Sequence, residues 1–115
     1  MASQIPGADR RLATYGTLVP GQVNAHQLDG LSGRWLVGSV RGHLVEEGWG
    51  AAHGCPGIRI DRAGEEVAVH VFESPDLPLH WVRLDAFEGE SYRRVSVMVE
   101  TAEGTLAASI YEIAL

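Results

Sequence analysis

Lysine is missing from this chain. Its nine basic residues are all arginines. The chain itself can therefore supply no lysine Schiff base, no phosphate-loop lysine and no serine–lysine dyad. Cysteine occurs once, at Cys55, so no disulfide can form within the chain. No stretch approaches the ~18–20 apolar residues of a membrane-crossing helix. The N-terminal MASQIPGADRR lacks the basic segment and apolar core of a secretory signal. A cytoplasmic protein without a membrane partner is expected. An excess of positive charge is absent as well. The formal net charge is -6, so no nucleic-acid partner is expected, because such a surface needs a basic patch. There is no Gly-x-Ser-x-Gly nucleophile elbow. The five histidines, His26, His43, His53, His70 and His80, show no His-x-x-x-His spacing, and no metal site is expected. Cys55 lies two residues from His53 in HGCPG. A small buried thiol in a loop accounts for it better than a nucleophile does.

What is present suits one domain over residues 1–115, with residues 1–10 a flexible lead-in. The hydrophobic fraction of 45% is ordinary for a globular chain with one core. Leu12 to Tyr15 reads as a short strand and runs into GTLVPGQ, a glycine and proline turn. VNAHQL reads as one helical turn. Arg34 to Val45 reads as a strand in which Gly38 and Gly42 mark bends or bulges. EEGWGAAHGCPG is a glycine-dense loop, IRID a short strand, and RAGEE a hairpin connection to a valine-rich strand over Glu66 to Glu73. YRRVSVMVET and TLAASIYEIA read as two strands joined by AEG. This order predicts an α+β fold, a small and mostly antiparallel sheet or barrel with one or two helices packed on it.

The convincing helix lies in SPDLPLHWVRLDAFEG. Ser74 or Asp76 can cap it, Pro75 or Pro78 fits its first turn, and Gly89 is its stop. Leu77, Trp81 and Leu84 are spaced i, i+4, i+7 and form one apolar stripe. Four residues further, the same stripe reaches Glu88, with Phe87 beside it also expected to be buried. Asp85 falls off the stripe and Glu90 lies beyond Gly89, so both are expected in solvent. Burial and the negative end of the helix dipole both disfavour the charged form of Glu88. A carboxyl so placed suits general acid/base chemistry. Two plainer readings stand beside this one: Glu88 reaches solvent, or it pairs with Arg93 or Arg94.

A second candidate follows the first strand. In YGTLVPG, Gly16 permits a tight turn and close approach of a ligand to the backbone. Consecutive N–H groups there can form an anion-binding nest. An ordinary turn is the alternative. The tryptophans Trp35, Trp49 and Trp81 read as core or pocket wall.

YGTLVPGQVNAH near the N-terminus and LDAFEGESYRRVSV further on, with GSVRGHLVEEGWGAAHGCPGI between them, together resemble the gamma-glutamylcyclotransferase-like family, in particular its small gamma-glutamylamine cyclotransferase branch. The resemblance spans roughly Leu12 to Tyr111. It implies a small mixed barrel with flanking helices. It implies substrate binding by Tyr15, Gly16, Thr17 and Leu18 through backbone N–H groups, Glu88 as the acid/base, and Tyr92 in the pocket wall. The implied reaction cyclises a gamma-glutamyl amide or amine conjugate to 5-oxoproline and releases the amine, with no metal or organic cofactor. The partner implied is that small-molecule substrate. A non-catalytic binding domain on the same fold, or a lyase that removes a gamma-glutamyl group within one pathway, are the alternatives. Only GES separates Glu88 from Tyr92, fewer residues than in many members, and the loop before Pro56 lacks the tyrosine often found there.

Overall fold

The computed structural model describes residues 7–15, 25–45 and 57–114. Among these residues lie six strands: β1 (Arg11–Thr14), β2 (Arg34–Val45), β3 (Gly57–Ile60), β4 (Glu65–Glu73), β5 (Tyr92–Thr101) and β6 (Gly104–Ile113). The same described residues hold one α-helix, α1 (Trp81–Glu88), and 3-10 turns at Ala8–Arg10, Ala25–Leu28 and Leu77–Leu79. The strands read from the sequence are all present, with the bounds of β2 and β5 as expected.

Five strands close on themselves in the order β2-β4-β1-β6-β5, and β5 pairs back onto β2. Every neighbouring pair is antiparallel except β1 and β6, so the barrel is mixed. Closure rests on two register pairs, Gly38 with Thr101 and Ser39 with Glu100. Gly38 is needed there. A Cβ at this position would stand 2.6 Å from the carbonyl oxygen of Glu100. β3 is a sixth strand. It pairs with β2 over residues 42–45, beyond the point where β5 leaves.

The barrel is filled by β-branched and small side chains. Val67, Val69 and Val71 of β4 point inward, as do Val97 and Val99 of β5, and they meet Ala13, Val40, Ile58, Ala108 and Ile110. Alternation puts Glu66, Ala68, Met98 and Glu100 on the outer face. A second core lies outside the barrel wall. Leu12, Phe72 and Tyr111 from the strands pack against Leu28, Leu77, Trp81 and Leu84. β6 carries both cores, so Ala107 to Ile113 are buried without alternation.

The helical segment departs from the continuous helix expected. A 3-10 turn at Leu77–Leu79 precedes an eight-residue α-helix. Pro75 and Pro78 have no N–H to offer a longer ladder. The candidate caps are used differently too. The Ser74 hydroxyl accepts the N–H of Asp76, and the Asp76 carboxylate accepts the N–H of Ser32. Gly89 does end the helix, at φ +84°. The stripe of Leu77, Trp81 and Leu84 is buried as phased, but Phe87 is 36% exposed rather than buried.

The end of the expected lead-in is also corrected. From Gly7 onward the chain is docked: Ala8 is fully buried, its carbonyl accepts the Ser109 hydroxyl at 2.8 Å, and the Asp9 carbonyl accepts the Trp81 indole N–H at 2.9 Å. These contacts are long-range and leave no local pattern in the sequence.

Gly38→Val should prevent β5 from closing on β2. We expect a loss of about 2 kcal/mol or more in unfolding free energy, measured by urea denaturation. An unchanged midpoint would show that the closing pairs carry no stability.

Candidate functional site

Tyr15 is the first residue after β1, and its hydroxyl is fixed on both sides. It donates to the carbonyl of Tyr111 at 2.5 Å and accepts the N–H of Ile58 at 3.2 Å. One phenol thus joins the ends of β1, β6 and β3. Burial pushes its pKa far above the ordinary tyrosine value. The Ile58 N–H opposes that shift, and the nearby Glu88, Tyr92 and Glu112 reinforce it. Tyr15 is therefore a neutral donor and not a base.

Glu112, buried on β6 at 7% exposure, repeats this arrangement one step along β3. Its carboxylate accepts the Ile60 N–H at 3.1 Å and the Arg93 guanidinium at 3.0 Å. Among the described residues, the edge of β3 away from β2 is bonded by two side chains rather than by another strand.

Asp85 is exposed, as expected, but its carboxylate is bonded. It accepts two hydrogen bonds from Arg94, at 2.9 and 3.2 Å, and one from the Tyr111 hydroxyl at 2.7 Å. Desolvation would raise its pKa, but the bonds from Arg94 and Tyr111 outweigh it and hold the carboxyl below the usual range. The Arg94 guanidinium also lies 4.3 Å from the centroid of the Trp81 ring, a cation–π contact.

Glu88 is left with no such partner. It closes α1 as a half-buried side chain on the stripe of Leu77, Trp81 and Leu84. Both arginines that could have neutralised it are engaged elsewhere, Arg93 by Glu112 and Arg94 by Asp85. No hydrogen bond or ion pair joins Glu88 to another described residue. Desolvation pushes its carboxyl up to about 7. Its charge is felt at both Tyr15 and Tyr111, which puts it at the same end of the barrel. Tyr92, half-buried, packs there against the second core. The structure thus gathers Tyr15, Glu88 and Tyr92. Gly16, Thr17 and Leu18 lie outside the described residues, as do Cys55 and His53.

Sequence reading passed over Tyr111 and Glu112, and gave Asp85 no partner. Glu112 did leave a signal, a carboxylate inside the apolar run ASIYEIA. A cavity of about 650 Å³ lies elsewhere, between β2, β5 and the β3–β4 hairpin, and is lined by outward residues such as Arg41, Arg62 and Glu66 and by the core residues Val40 and Val97. None of Tyr15, Glu88, Tyr92 and Tyr111 borders it. Among the described residues no three metal-ligating side chains converge, and no helix is long and apolar enough to cross a membrane.

Residues 12–115 match the family model described as gamma-glutamyl cyclotransferase, AIG2-like. The chain belongs to this family. No curated protein matches it. Among solved structures, YkqA from Bacillus subtilis is 28% identical at a TM-score of 0.70, over 92% of this chain and 36% of YkqA. The chain thus spans about a third of that relative. An aig2-like protein from Mus musculus is 23% identical at a TM-score of 0.70, over 91% of this chain and 77% of that one. An uncharacterized protein from Pyrococcus horikoshii is 22% identical at 0.59, over 91% of this chain and 78% of that one. The last two share the fold. In this AIG2-like chain, the five-strand mixed barrel and the helix laid on it are the features common to those structures.

The carboxyl of Glu88 has a consequence for stability. Between its ordinary value of 4.5 and about 7, the folded chain holds a proton that the unfolded chain has released. Unfolding free energy therefore falls as pH rises through that window. Glu88→Gln removes this loss. Relative to the unsubstituted protein, the variant should gain about 2–3 kcal/mol between pH 4 and pH 8, measured by denaturation at both values. A pH-independent difference would show that Glu88 titrates normally.

Proposed function

We propose that this AIG2-like chain catalyses the cyclisation of a gamma-glutamyl amide to 5-oxoproline with release of an amine, and that Glu88 moves the proton. The observation that carries this reading is one carboxyl, half-buried and without an ion-pair partner among the described residues, held up to about 7 by desolvation beside Tyr15. Family membership supports the reaction class.

In this reaction the substrate brings its own nucleophile. Its α-ammonium group gives a proton to the Glu88 carboxylate. The freed amine attacks the γ-carbonyl carbon, forming the ring C–N bond and placing negative charge on the carbonyl oxygen. When the tetrahedral centre collapses, the original amide C–N bond breaks. The departing nitrogen then takes the proton from Glu88, and the carboxylate so freed takes the second proton from the positively charged ring nitrogen and releases it to solvent. The carboxyl ends as it began, and the products are 5-oxoproline and a free amine. A group with a pKa near the working pH performs both transfers without being locked in either state.

Tyr15 cannot supply that proton, because its own is held by the Tyr111 carbonyl. Its role in the proposal is to fix where Gly16, Thr17 and Leu18 leave β1. The N–H groups of those three residues would hold the substrate carboxylate or the developing oxyanion, an interaction worth about 3 kcal/mol per donor at a transition state. Tyr92 would wall the pocket beside Glu88. The ring-forming contact needs amine and carbonyl held close and oriented.

The test is release of 5-oxoproline from a gamma-glutamyl amide by the purified protein. We expect turnover whose kcat/KM rises with an apparent pKa near 7 as Glu88 ionises, and a fall of about 100-fold or more in Glu88→Gln. Turnover unchanged in that variant would remove Glu88 from the mechanism. Saturable binding without release would identify a binding domain instead.

A further inference from the structure

The cavity between β2, β5 and the β3–β4 hairpin is a consequence of the strand order. β5 pairs with β6 from Tyr92 to Thr101, but with β2 only through Glu100 and Thr101. Past that contact β2 takes β3 as its neighbour, from Gly42 to Val45. Over Ser96 to Met98 the second edge of β5 therefore pairs with no strand among the described residues, and these three residues line the gap. At about 650 Å³ it is as large as the sites that hold small molecules. Its base is apolar, made by the buried Val40 and Val97, with Ile60 packed on the same core.

The walls are charged, and their charges are not matched to one another. The side chains of Arg41, Arg62 and Glu66 form no hydrogen bond or ion pair with any described residue. Arg41 and Glu66 are register partners on β2 and β4. Their Cβ atoms therefore stand about 5 Å apart on the outer face, yet no ion pair joins them. Glu100, the remaining charged residue of the lining, accepts the Thr105 hydroxyl at 3.1 Å. Two guanidiniums and two carboxylates sum to zero, so the cavity draws in neither a simple cation nor a simple anion. A multiply charged anion such as phosphate would be repelled by Glu66 and Glu100. A molecule that carries both charges side by side is matched on both.

We propose that this cavity is a second binding site, for a small zwitterion of the α-amino-acid kind with an apolar side chain. Arg41 and Arg62 take its carboxylate, which the planar guanidinium fork fits. Glu66 takes its ammonium group. The two charges of such a ligand are neighbours, as Arg41 and Glu66 are neighbours across the strand pair. The ligand's side chain lies on Val40, Ile60 and Val97. The exposed Met98 stands beside it, a soft partner for an aromatic ring. An Arg–Glu pair at an exposed position is weak, so turning both groups to a ligand gives up little. None of Tyr15, Glu88 and Tyr92 lines the cavity, and its occupancy does not depend on the reaction proposed above.

Phenylalanine, hydrocinnamate and phenethylamine share a ring and differ in charge: the first carries both signs, the second the carboxylate alone, the third the ammonium alone. Each is titrated into the purified protein and followed by amide-resolved NMR. We expect phenylalanine to shift the amides of Arg41 and of Ser96 to Met98 saturably. It should bind about 10-fold or more tighter than either single-charge analogue. Arg62→Gln and Glu66→Gln should each weaken phenylalanine by about 5-fold or more. Neither substitution removes a partner from the fold, and the spectra report that both variants stay folded. Analogues that bind as tightly as phenylalanine would overturn the proposal, as would an affinity for phenylalanine unchanged in both variants. So would the absence of saturable shifts at those amides up to about 20 mM phenylalanine.

Discussion

The hydroxyl of Tyr15 is the point on which the rest of the site depends. β1 ends at Thr14, β3 begins at Gly57 and β6 ends at Ile113, and the ends of all three meet at this one group. A backbone N–H or carbonyl left unbonded in a buried position is costly. The Tyr15 hydroxyl answers one of each. Because burial raises its pKa well above neutrality, it remains a donor to Tyr111 over the whole working range of pH. The bond is therefore structural and permanent. Glu112 performs the matching task at Ile60. A strand that pairs with β2 on one edge is in this way held on the other, among the described residues, by two side chains.

The helix that carries Glu88 is too short to hold itself. Eight residues lie below the length at which an isolated helix is stable in water. Its direction is set from outside, by Trp81 bonded to the Asp9 carbonyl and by Asp85 bonded to Tyr111 and Arg94. Tyr111 thus links the helix to Tyr15 through one residue: its hydroxyl meets Asp85 and its carbonyl meets Tyr15. A displacement of α1 would be transmitted directly to the phenol that closes the barrel end.

How far the sequence displayed all this depends on how local each cause is. β2 and β5 were legible because valines recur along them and turn residues bound them. The orientation of Glu88 was legible because three apolar residues fixed the phase of one stripe. That phase survived the break at His80 because Leu77 and Trp81 pack into the same cluster on either side of it. Phe87 was misjudged because the stripe is narrow, and its neighbour Glu88 occupies the buried side. The caps were misjudged because Asp76 serves Ser32, forty-four positions away. Asp85 is exposed as expected, but its partners were not legible because Arg94 and Tyr111 lie on two different strands. The packing of Ala8 against Ser109 has the same character. Local patterns announce which element forms and which face it buries. They do not announce which distant group satisfies a given polar atom, and the site is built from such choices.

The arrangement of ion pairs gives the last of those choices its meaning. Arg93 and Arg94 follow Glu88 closely in sequence, and either could have paired with it. A guanidinium against Glu88 would lower its pKa toward or below the ordinary carboxylate value. The group would then hold a proton only in acid and could not return one near neutrality. By binding Glu112 and Asp85 instead, the two arginines stabilise β3 and α1 and also stay away from the one carboxyl that has to remain unpaired. Under the proposed chemistry, then, the structural ion pairs act on the reaction by exclusion. The cost is a half-buried carboxyl that destabilises the fold as it ionises. That cost falls on a chain whose two cores, inside the barrel and beneath the helix, meet on three strands, through Leu12 and Ala13 of β1, Val71 and Phe72 of β4, and Ile110 and Tyr111 of β6.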